Sequence, residues 1–394
     1  MHNGKHVILH LLFDSILFDQ VFPRFEQMEG YEQMYLMGSL GSDKDIKYIK
    51  NKEKIIQTGS LDTWGKIVND DKIDIIYLHG LWPDFLKAVD YIRDGVKVMW
   101  WVYGMEIYEN CFGYAPLLRM KILMPRTYQF VLSNCSTLRS RLGVSLSFYF
   151  PKFYDIVKTI KNLLYRRPDY LRRMLARIDF AFTPLPVELD ELNSKNRYLH
   201  AKAFRIKGIV VKEPIVVHQK SGQILLEHSA HISNNHLDVI DALKQVDMRG
   251  RIIHIPLSYG SYKMKEAVKS NAVFKNAKTN CIEEVLPFDQ YKSLVLGCSH
   301  AVFGMLRQSG LGNIYLCIRS GIKIFFFKDS ILYKHFVSQG YYVYSIEEDM
   351  TDETIRTPLT REESIHNYDL FYSFFPEGNT PYDQQFNKIL GFNE

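Results

Sequence analysis

Cysteine is scarce: the chain has five among 394 residues, an odd number with no close pairing. No CxxC occurs and no Cys/His spacing matches a zinc site. A disulfide framework and a zinc ribbon are therefore excluded, and a reducing compartment is expected. Long apolar runs are missing as well. Nowhere do about 18 uncharged apolar residues run together, so no transmembrane helix is expected. The opening MHNGKHVILHLLFD is too short and too interrupted in its apolar part for a signal peptide. Several motifs are also absent. There is no GxGxxG after the first strand, no P-loop GxxxxGK followed by Ser or Thr, no HExxH, no GxSxG and no EF-hand loop. Hydride transfer, P-loop phosphoryl transfer and serine hydrolysis each lose their usual mark.

What is present describes an ordinary globular chain. Hydrophobic residues make up 46% and aromatics 14%, and the mean hydropathy is −0.16. A single core stops growing at roughly 250–300 residues, so this length predicts two domains. Net charge is only +5, but it is unevenly spread. Between Ala115 and Ile178 stand thirteen basic residues and only two acids, Asp155 and Asp169. That segment carries +11 and the rest of the chain −6. Such asymmetry points to one face that meets an anionic partner.

Strand, loop and helix alternate through the first third. Lys5–Leu12, Gln33–Met37, Ile73–His79 and Val96–Tyr103 read as strands, with helices at Leu61–Asn69 and from Pro83 through Tyr91. The middle carries two basic amphipathic helices, Phe153–Tyr165 and Tyr170–Arg177. A strand, Ile178–Thr183, follows them and is closed by Pro184 and Pro186. A linker is expected around Lys207–Gly222. The alternation then restarts with strands at Gln223–Glu227, Arg251–Pro256, Ala301–Met305, Lys323–Phe327 and Tyr341–Tyr344. Their helices fall at Ser233–Val246, capped by Ser233 or Asn234, and at Ser261–Ser270, Pro287–Gly297, Gly312–Ser320 and Ile331–Gln339. A last helix is Pro381–Leu390. The expected division is 1–206 and 207–375, with the helix 376–394 beyond. The fold class is α/β with two parallel sheets, and a ligand cleft between the domains is expected.

Chemistry should sit in the loops beyond the strand ends. Leu306–Asn313 reads LRQSGLGN: two glycines enter a helix directly after a strand. Backbone N–H groups there can cradle a diphosphate, with Arg307 adding charge. The same glycines also suit a tight turn needing positive φ. In Glu227–His236 (EHSAHISNNH), Ser229, Ser233 and Asn234 can donate to phosphate or sugar oxygens, or Ser233 and Asn234 can simply cap a helix. The spacing of His228, His231 and His236 matches no common metal site. His79 ends a strand before Gly80, and Glu106 lies just past another strand; both stand where a general base would. Backbone bonding and helix-start complementarity are their structural alternatives. Arg166, Arg167, Arg172 and Arg173, interleaved with Leu, Met and Tyr, suit an anionic membrane surface better than a nucleic acid.

In order along the chain, these stretches resemble a known family. They are His79-Gly80, Tyr103–Glu109 (YGMEIYE), Ser229 with Ser233–His236, Pro256–Tyr259, Phe288-Asp289-x-Tyr291 and Arg307–Asn313 (RQSGLGN). The family is the bacterial TDP-N-acetylfucosamine:lipid II N-acetylfucosaminyltransferases of enterobacterial common antigen synthesis, glycosyltransferase family 56. Glu106 replaces the family's Asp, Asn313 replaces its Thr, and the basic stretch is longer here. The resemblance implies a GT-B architecture, two Rossmann-like domains with the nucleotide sugar on the C-terminal one. It implies donor binding by Ser229, Ser233, Asn234, His236, Tyr259, Phe288, Tyr291, Arg307, Gln308, Gly310, Gly312 and Asn313. The expected activity is transfer of a deoxy-amino sugar, TDP-N-acetylfucosamine or a similar donor, to a polyprenyl-diphosphate-linked saccharide. Glu106 is the expected base and His79 the second choice. No metal, cofactor or nucleic acid is expected. The expected place is the cytoplasmic face of the inner membrane, peripherally bound. The competing reading is a catalytically inactive GT-B-like protein that docks on a membrane or another protein.

Overall fold

The computed structural model describes residues 5–15, 18–37, 46–109, 116–118, 120–150, 153, 169–205, 215, 222–374 and 382–392. The chain divides into two compact units. The first comprises Met1–Arg119, Asp155–Gly208 and Glu377–Glu394, and the second Met120–Tyr154 and Ile209–Pro376.

The first unit holds seven strands: β1 His6–Leu12, β2 Tyr31–Met37, β3 Ile55–Ile56, β4 Ile73–His79, β5 Lys97–Trp101, β6 Phe180–Phe182 and β7 Lys202–Ala203. They pair in parallel throughout, in the order β3-β2-β1-β4-β5-β6-β7. The interior strands read as near-continuous apolar runs because both faces are covered. Ile8, Leu9, Ile75, Ile76 and Leu78 are all fully buried. The sequence reading misses β3 and β7, which at two residues each leave no periodic signal. It closes β6 at Pro184 and Pro186, as observed, but misses the helix Pro186–Lys195, which begins with that second proline in its first turn.

The second unit repeats the plan with β8 Gln223–Leu226, β9 Ile252–Pro256, β10 Lys278–Ile282, β11 His300–Phe303, β12 Lys323–Phe326 and β13 Tyr344–Ser345. The order is β10-β9-β8-β11-β12-β13, again all parallel. β10 escapes the sequence reading because it is the sheet's edge: KTNCI buries none of its residues completely. In both sheets the strand order reverses beside the first strand, between β1 and β4 and between β8 and β11. Open α/β sheets bind ligands beyond the carboxyl ends of the strands at that point.

Three sequence expectations need correction. The helix expected at Ser233–Val246 is His236–Leu243, preceded by a 3-10 turn at Ile232–Asn234. Neither Ser233 nor Asn234 caps it. Asn235 takes the cap position with a left-handed backbone, and its amide bonds the carbonyls of Ile122, Ser233 and Gly304 instead. The terminal helix, set apart as 376–394, is Tyr382–Leu390 and belongs to the first unit. Its fully buried Phe386 meets Phe25, Tyr31 and Tyr77, and Tyr31 Oη donates to Asn387 Oδ1 at 2.5 Å.

The third concerns the basic segment, assigned whole to the first domain: residues 120–154 belong to the second. The Asp238 carboxylate accepts the Arg126 and Thr127 N–H groups at 2.7 and 2.8 Å and the Thr127 hydroxyl at 2.6 Å. It thereby serves the first turn of the helix Pro125–Ser133 from another helix. Asn235 Oδ1 accepts Met124 N–H at 2.8 Å beside it. The expected linker 207–222 and helix 153–165 fall almost wholly outside the described residues.

Candidate functional site

At the end of β8 a buried chain of polar groups begins. Glu227 follows the strand with a left-handed backbone, φ 62°, and is fully buried. One carboxylate oxygen accepts the Gly304 N–H; the other stands 3.6 Å from His228 Nδ1 and has no hydrogen-bond partner. Burial pushes this carboxyl well above the usual range, and the Arg307 guanidinium works against that shift. His228 is held neutral, its pKa lowered to about 4 by burial and by Arg307.

The loop after β11 meets this group. Arg307, buried, donates from Nε to Ser233 Oγ at 3.0 Å and from Nη1 to the Gln308 carbonyl at 2.9 Å. Ser233 Oγ is also 2.9 Å from His231 Nδ1. Asn234 Nδ2 donates to the Ser229 carbonyl at 2.8 Å and to its Oγ at 3.2 Å. Gly310 begins the helix Leu311–Arg319 at φ 62°, and a Cβ there would lie 2.7 Å from His228 Nδ1. Glycine is thus required twice over, by conformation and by space. Beyond it Gly312 faces open space, at the helix start where N–H groups lack intrahelical partners.

The structure therefore brings Ser229, Ser233, Asn234, Arg307, Gln308 and Gly310 together, with Gly312 and Asn313 in the adjoining helical turn. His236 is fully buried near His228 and His231, neither ring nitrogen has a partner, and its pKa is lowered to about 3. Tyr291 buries an unpartnered hydroxyl. Tyr259 lies in the neighbouring loop, whose carbonyl accepts Ala230 N–H at 2.6 Å, but its ring is 52% exposed. Phe288 is 70% exposed at the start of its helix, and nothing joins it to the cluster in the way Arg307 is joined. Sequence reasoning passed over Glu227. Its signal was a carboxylate closing the apolar strand QILLE.

The first unit carries a second cluster at its own reversal point. His79 ends β4 and is buried; Glu106, also buried, lies in the short helix Met105–Tyr108 beyond β5. Glu106 Oε1 accepts the Tyr103 N–H at 2.8 Å, and burial raises its pKa to about 7. Gly80 stands between them at φ 85°, and a Cβ there would be 3.5 Å from that carboxylate oxygen. His79 Nε2 is 3.0 Å from His10 Nδ1, and His79 Nδ1 is 3.2 Å from Tyr103 Oη. Burial and the neighbouring His10 drive the His79 pKa well below its ordinary value.

Of the four arginines singled out, Arg166 and Arg167 lie outside the described residues. Arg172 pairs with Asp169 at 3.0 Å and Arg173 with Asp90 at 2.5 Å, so both have acid partners within the chain. Among the described residues no three His, Cys, Asp or Glu side chains gather as metal ligands, and no helix is long and apolar enough to cross a membrane.

Comparison with known proteins places this geometry. Sucrose-phosphate synthase from Thermosynechococcus elongatus superposes with a TM-score of 0.61 at 7% identity, covering 98% of each chain. The N-terminal domain of Candida albicans trehalose-6-phosphate phosphatase gives 0.53 at 8%, covering 98% of this chain and 96% of that one. The lipopolysaccharide outer core galactosyltransferase WaaB gives 0.50 at 8%, covering 98% and 99%. These likenesses show a GT-B fold. The sequence model of the 4-alpha-L-fucosyltransferase family, glycosyl transferase group 56, matches residues 194–392, half of the chain and most of the unit holding the Arg307 cluster. A GT-B chain so matched belongs to that family, and it is a glycosyltransferase.

Proposed function

We propose that the enzyme transfers a deoxy-amino sugar from a nucleoside-diphosphate sugar, TDP-N-acetylfucosamine or one like it, to a hydroxyl of a polyprenyl-diphosphate-linked saccharide. The observation that carries the donor half is the cluster of buried polar atoms without partners around Arg307 and Gly310. Such atoms cost about 1–3 kcal/mol each when left unsatisfied, so their concentration at one strand reversal argues for a polar ligand. The helix start at Leu311–Asn313 and the Arg307 guanidinium suit the diphosphate. Ser229, Ser233, Asn234, His236, Gln308 and Tyr291 supply further groups for the nucleotide and sugar. As the bond to the anomeric carbon breaks, negative charge grows on the leaving diphosphate, and these fixed donors stabilise it without reorganising.

For an inverting reaction Glu106 is the proposed base. A carboxylate with a pKa about 7 is ionised often enough to accept the hydroxyl proton and basic enough to hold it. His79 is the weaker choice, since His10 and Tyr103 occupy both its ring nitrogens.

The lipid-linked acceptor and a peripheral seat on the cytoplasmic face of the inner membrane form part of the same proposal. The helix Leu138–Tyr149 buries none of its residues; Leu138, Leu142 and Tyr149 are exposed, as is Phe150 after it, and Arg139 and Arg141 accompany them. Apolar and basic side chains so interleaved suit an anionic interface, at about 1 kcal/mol per basic residue near the surface. Flotation with anionic vesicles at low salt should retain the protein and about 1 M salt should release it; absence from the vesicles at low salt would remove this part.

A melting screen with TDP, UDP, GDP and ADP tests the donor site. One nucleotide at 100 times its Kd should stabilise the fold by about 2.7 kcal/mol, and Arg307→Ala should lose that shift. Equal melting with all four would overturn the donor assignment.

A further inference from the structure

The first unit carries a partly open cavity of 170 Å³ lined by Val21, Arg24, Phe25, His79, Trp101, Tyr103 and Tyr382. An apolar cavity of about 150 Å³ takes up one six-membered ring. This one is lined mainly by aromatic and aliphatic surface, and its polar groups are concentrated in His79 and Tyr103, with the exposed Arg24 beside them. Apolar walls with a few fixed polar groups are the ordinary make-up of a small-ligand site.

Those polar groups are the visible end of a longer chain. Gln33 Oε1 is 2.9 Å from His10 Nε2, His10 Nδ1 is 3.0 Å from His79 Nε2, and His79 Nδ1 is 3.2 Å from Tyr103 Oη. The direction of every bond follows from the first. The Gln33 carbonyl only accepts, so His10 carries its hydrogen on Nε2 and presents a bare Nδ1. That nitrogen accepts from His79 Nε2–H, which leaves His79 Nδ1 bare to accept the Tyr103 hydroxyl proton. Both rings are neutral: burial lowers the His10 pKa to about 4, and burial with the neighbouring His10 drives that of His79 well below its ordinary value. Tyr103 thus spends its one proton inward and turns only lone pairs toward the cavity.

We propose that this cavity is a subsite for one pyranose ring of the acceptor, in which Tyr103 Oη accepts a hydrogen bond from a sugar hydroxyl while Gln33, His10 and His79 act as positioning residues that fix its proton. The ring's C–H face would lie against Trp101, Phe25 and Tyr382, whose aromatic surfaces offer dispersion contacts without polar demands. The chain makes the Tyr103 position selective: a group that can only accept a hydrogen bond finds no donor there. The inference rests on the glycosyltransferase assignment and extends the proposed acceptor from a class to a place.

The test uses the full chain with methyl pyranosides of glucose, N-acetylglucosamine and N-acetylmannosamine, read by saturation transfer in NMR. At least one should receive saturation from aromatic protons. Tyr103→Phe should weaken it about tenfold, the loss expected for one buried hydrogen bond. Val21→Trp, which fills the cavity from the helix Phe18–Glu26, should abolish it. Gln33 does not line the cavity, yet Gln33→Leu should also weaken binding, and Gln33→Glu, which keeps an acceptor oxygen, should restore it. Nitrogen-15 spectra should show His79 protonated on Nε2 in the native protein and lose that preference in Gln33→Leu. Absence of saturation from all three sugars overturns the proposal, and so does binding that both Tyr103→Phe and Val21→Trp leave unchanged. Nucleotide-induced melting shifts in the same variants report on the donor site alone. A pocket that fails while those shifts persist leaves the donor reading standing.

Discussion

The two strand reversals of this molecule differ in how far their buried polar groups are joined to one another. Beside β1 and β4, Gln33, His10, His79 and Tyr103 are joined in one continuous line and Glu106 takes the Tyr103 N–H, while Gln33 Nε2 and the hydroxyls of Tyr35 and Tyr77 around it have no partner. Beside β8 and β11, more are left bare. Glu227 Oε2, His228 Nδ1, Asn234 Oδ1, both nitrogens of His236, Tyr291 Oη and Gln308 Oε1 are buried without partners. Other unpartnered atoms of the first unit, such as Trp64 Nε1 and Asn193 Oδ1, lie elsewhere in its core. One reversal is ordered along a line that the chain itself builds; the other gathers more bare atoms, as a site does when a polar ligand supplies the missing bonds.

The strongest way to break this comparison is Glu106→Gln. If Glu106 is the base, turnover should fall about 10²–10⁴-fold with nucleotide affinity unchanged. The same variant should be the more stable protein. The folded-state pKa of about 7 lies above the unfolded value of 4.5, so the folded carboxyl holds its proton across that window. Stability therefore falls as pH rises from 4.5 to 7, and glutamine should recover up to about 3 kcal/mol above pH 7. Turnover near wild type would clear Glu106 of the chemistry.

Next in size is Arg307→Ala, expected to weaken nucleotide binding about 10–100-fold, as loss of a charge-assisted contact does. Titration calorimetry reads it directly; unchanged affinity would move the diphosphate elsewhere.

His236→Leu sharpens the contrast from the other side. Without ligand, removing two unpartnered buried nitrogens should cost nothing or stabilise by about 1–2 kcal/mol, while nucleotide affinity falls. A merely structural histidine would leave that affinity alone. The last expected effect is on pH. Folded-state values of about 3 for His236 and about 4 for His228 lie below the ordinary 6.5. Their contribution is complete above pH 6.5 and is lost as pH falls toward those values. Melting curves between pH 7 and 4 should show His236→Leu losing less stability than the parent chain.

Much of the fold could be read from hydrophobic runs, because strands buried on both faces write themselves plainly: HVILHLL, IDIIYLH and KIFF became β1, β4 and β12. Elements whose stability comes from elsewhere could not. The edge strand β10 is polar, and the helix Phe18–Glu26 contains a proline. The placement of residues 120–154 draws on partners more than a hundred positions away, Asn235 and Asp238 among them, which no local pattern announces. The loop Leu306–Asn313 stood out because two glycines enter a helix directly after a strand, although a tight turn would write the same pattern. Glu227 and His10 did not, since a single polar residue in an apolar strand reveals its role only once its partners are known.

The helix Tyr382–Leu390 packs its Phe386 against residues of β2 and β4. A ribosome making this chain thus releases both sheets before the aromatic wedge that completes the first core exists. Contacts of such sequence separation form late and slowly. Until then the nascent first sheet carries an uncovered apolar patch around Phe25, Tyr31 and Tyr77, a natural landing place for a chaperone, and a stop codon ahead of Tyr382 would leave a sticky, half-closed protein.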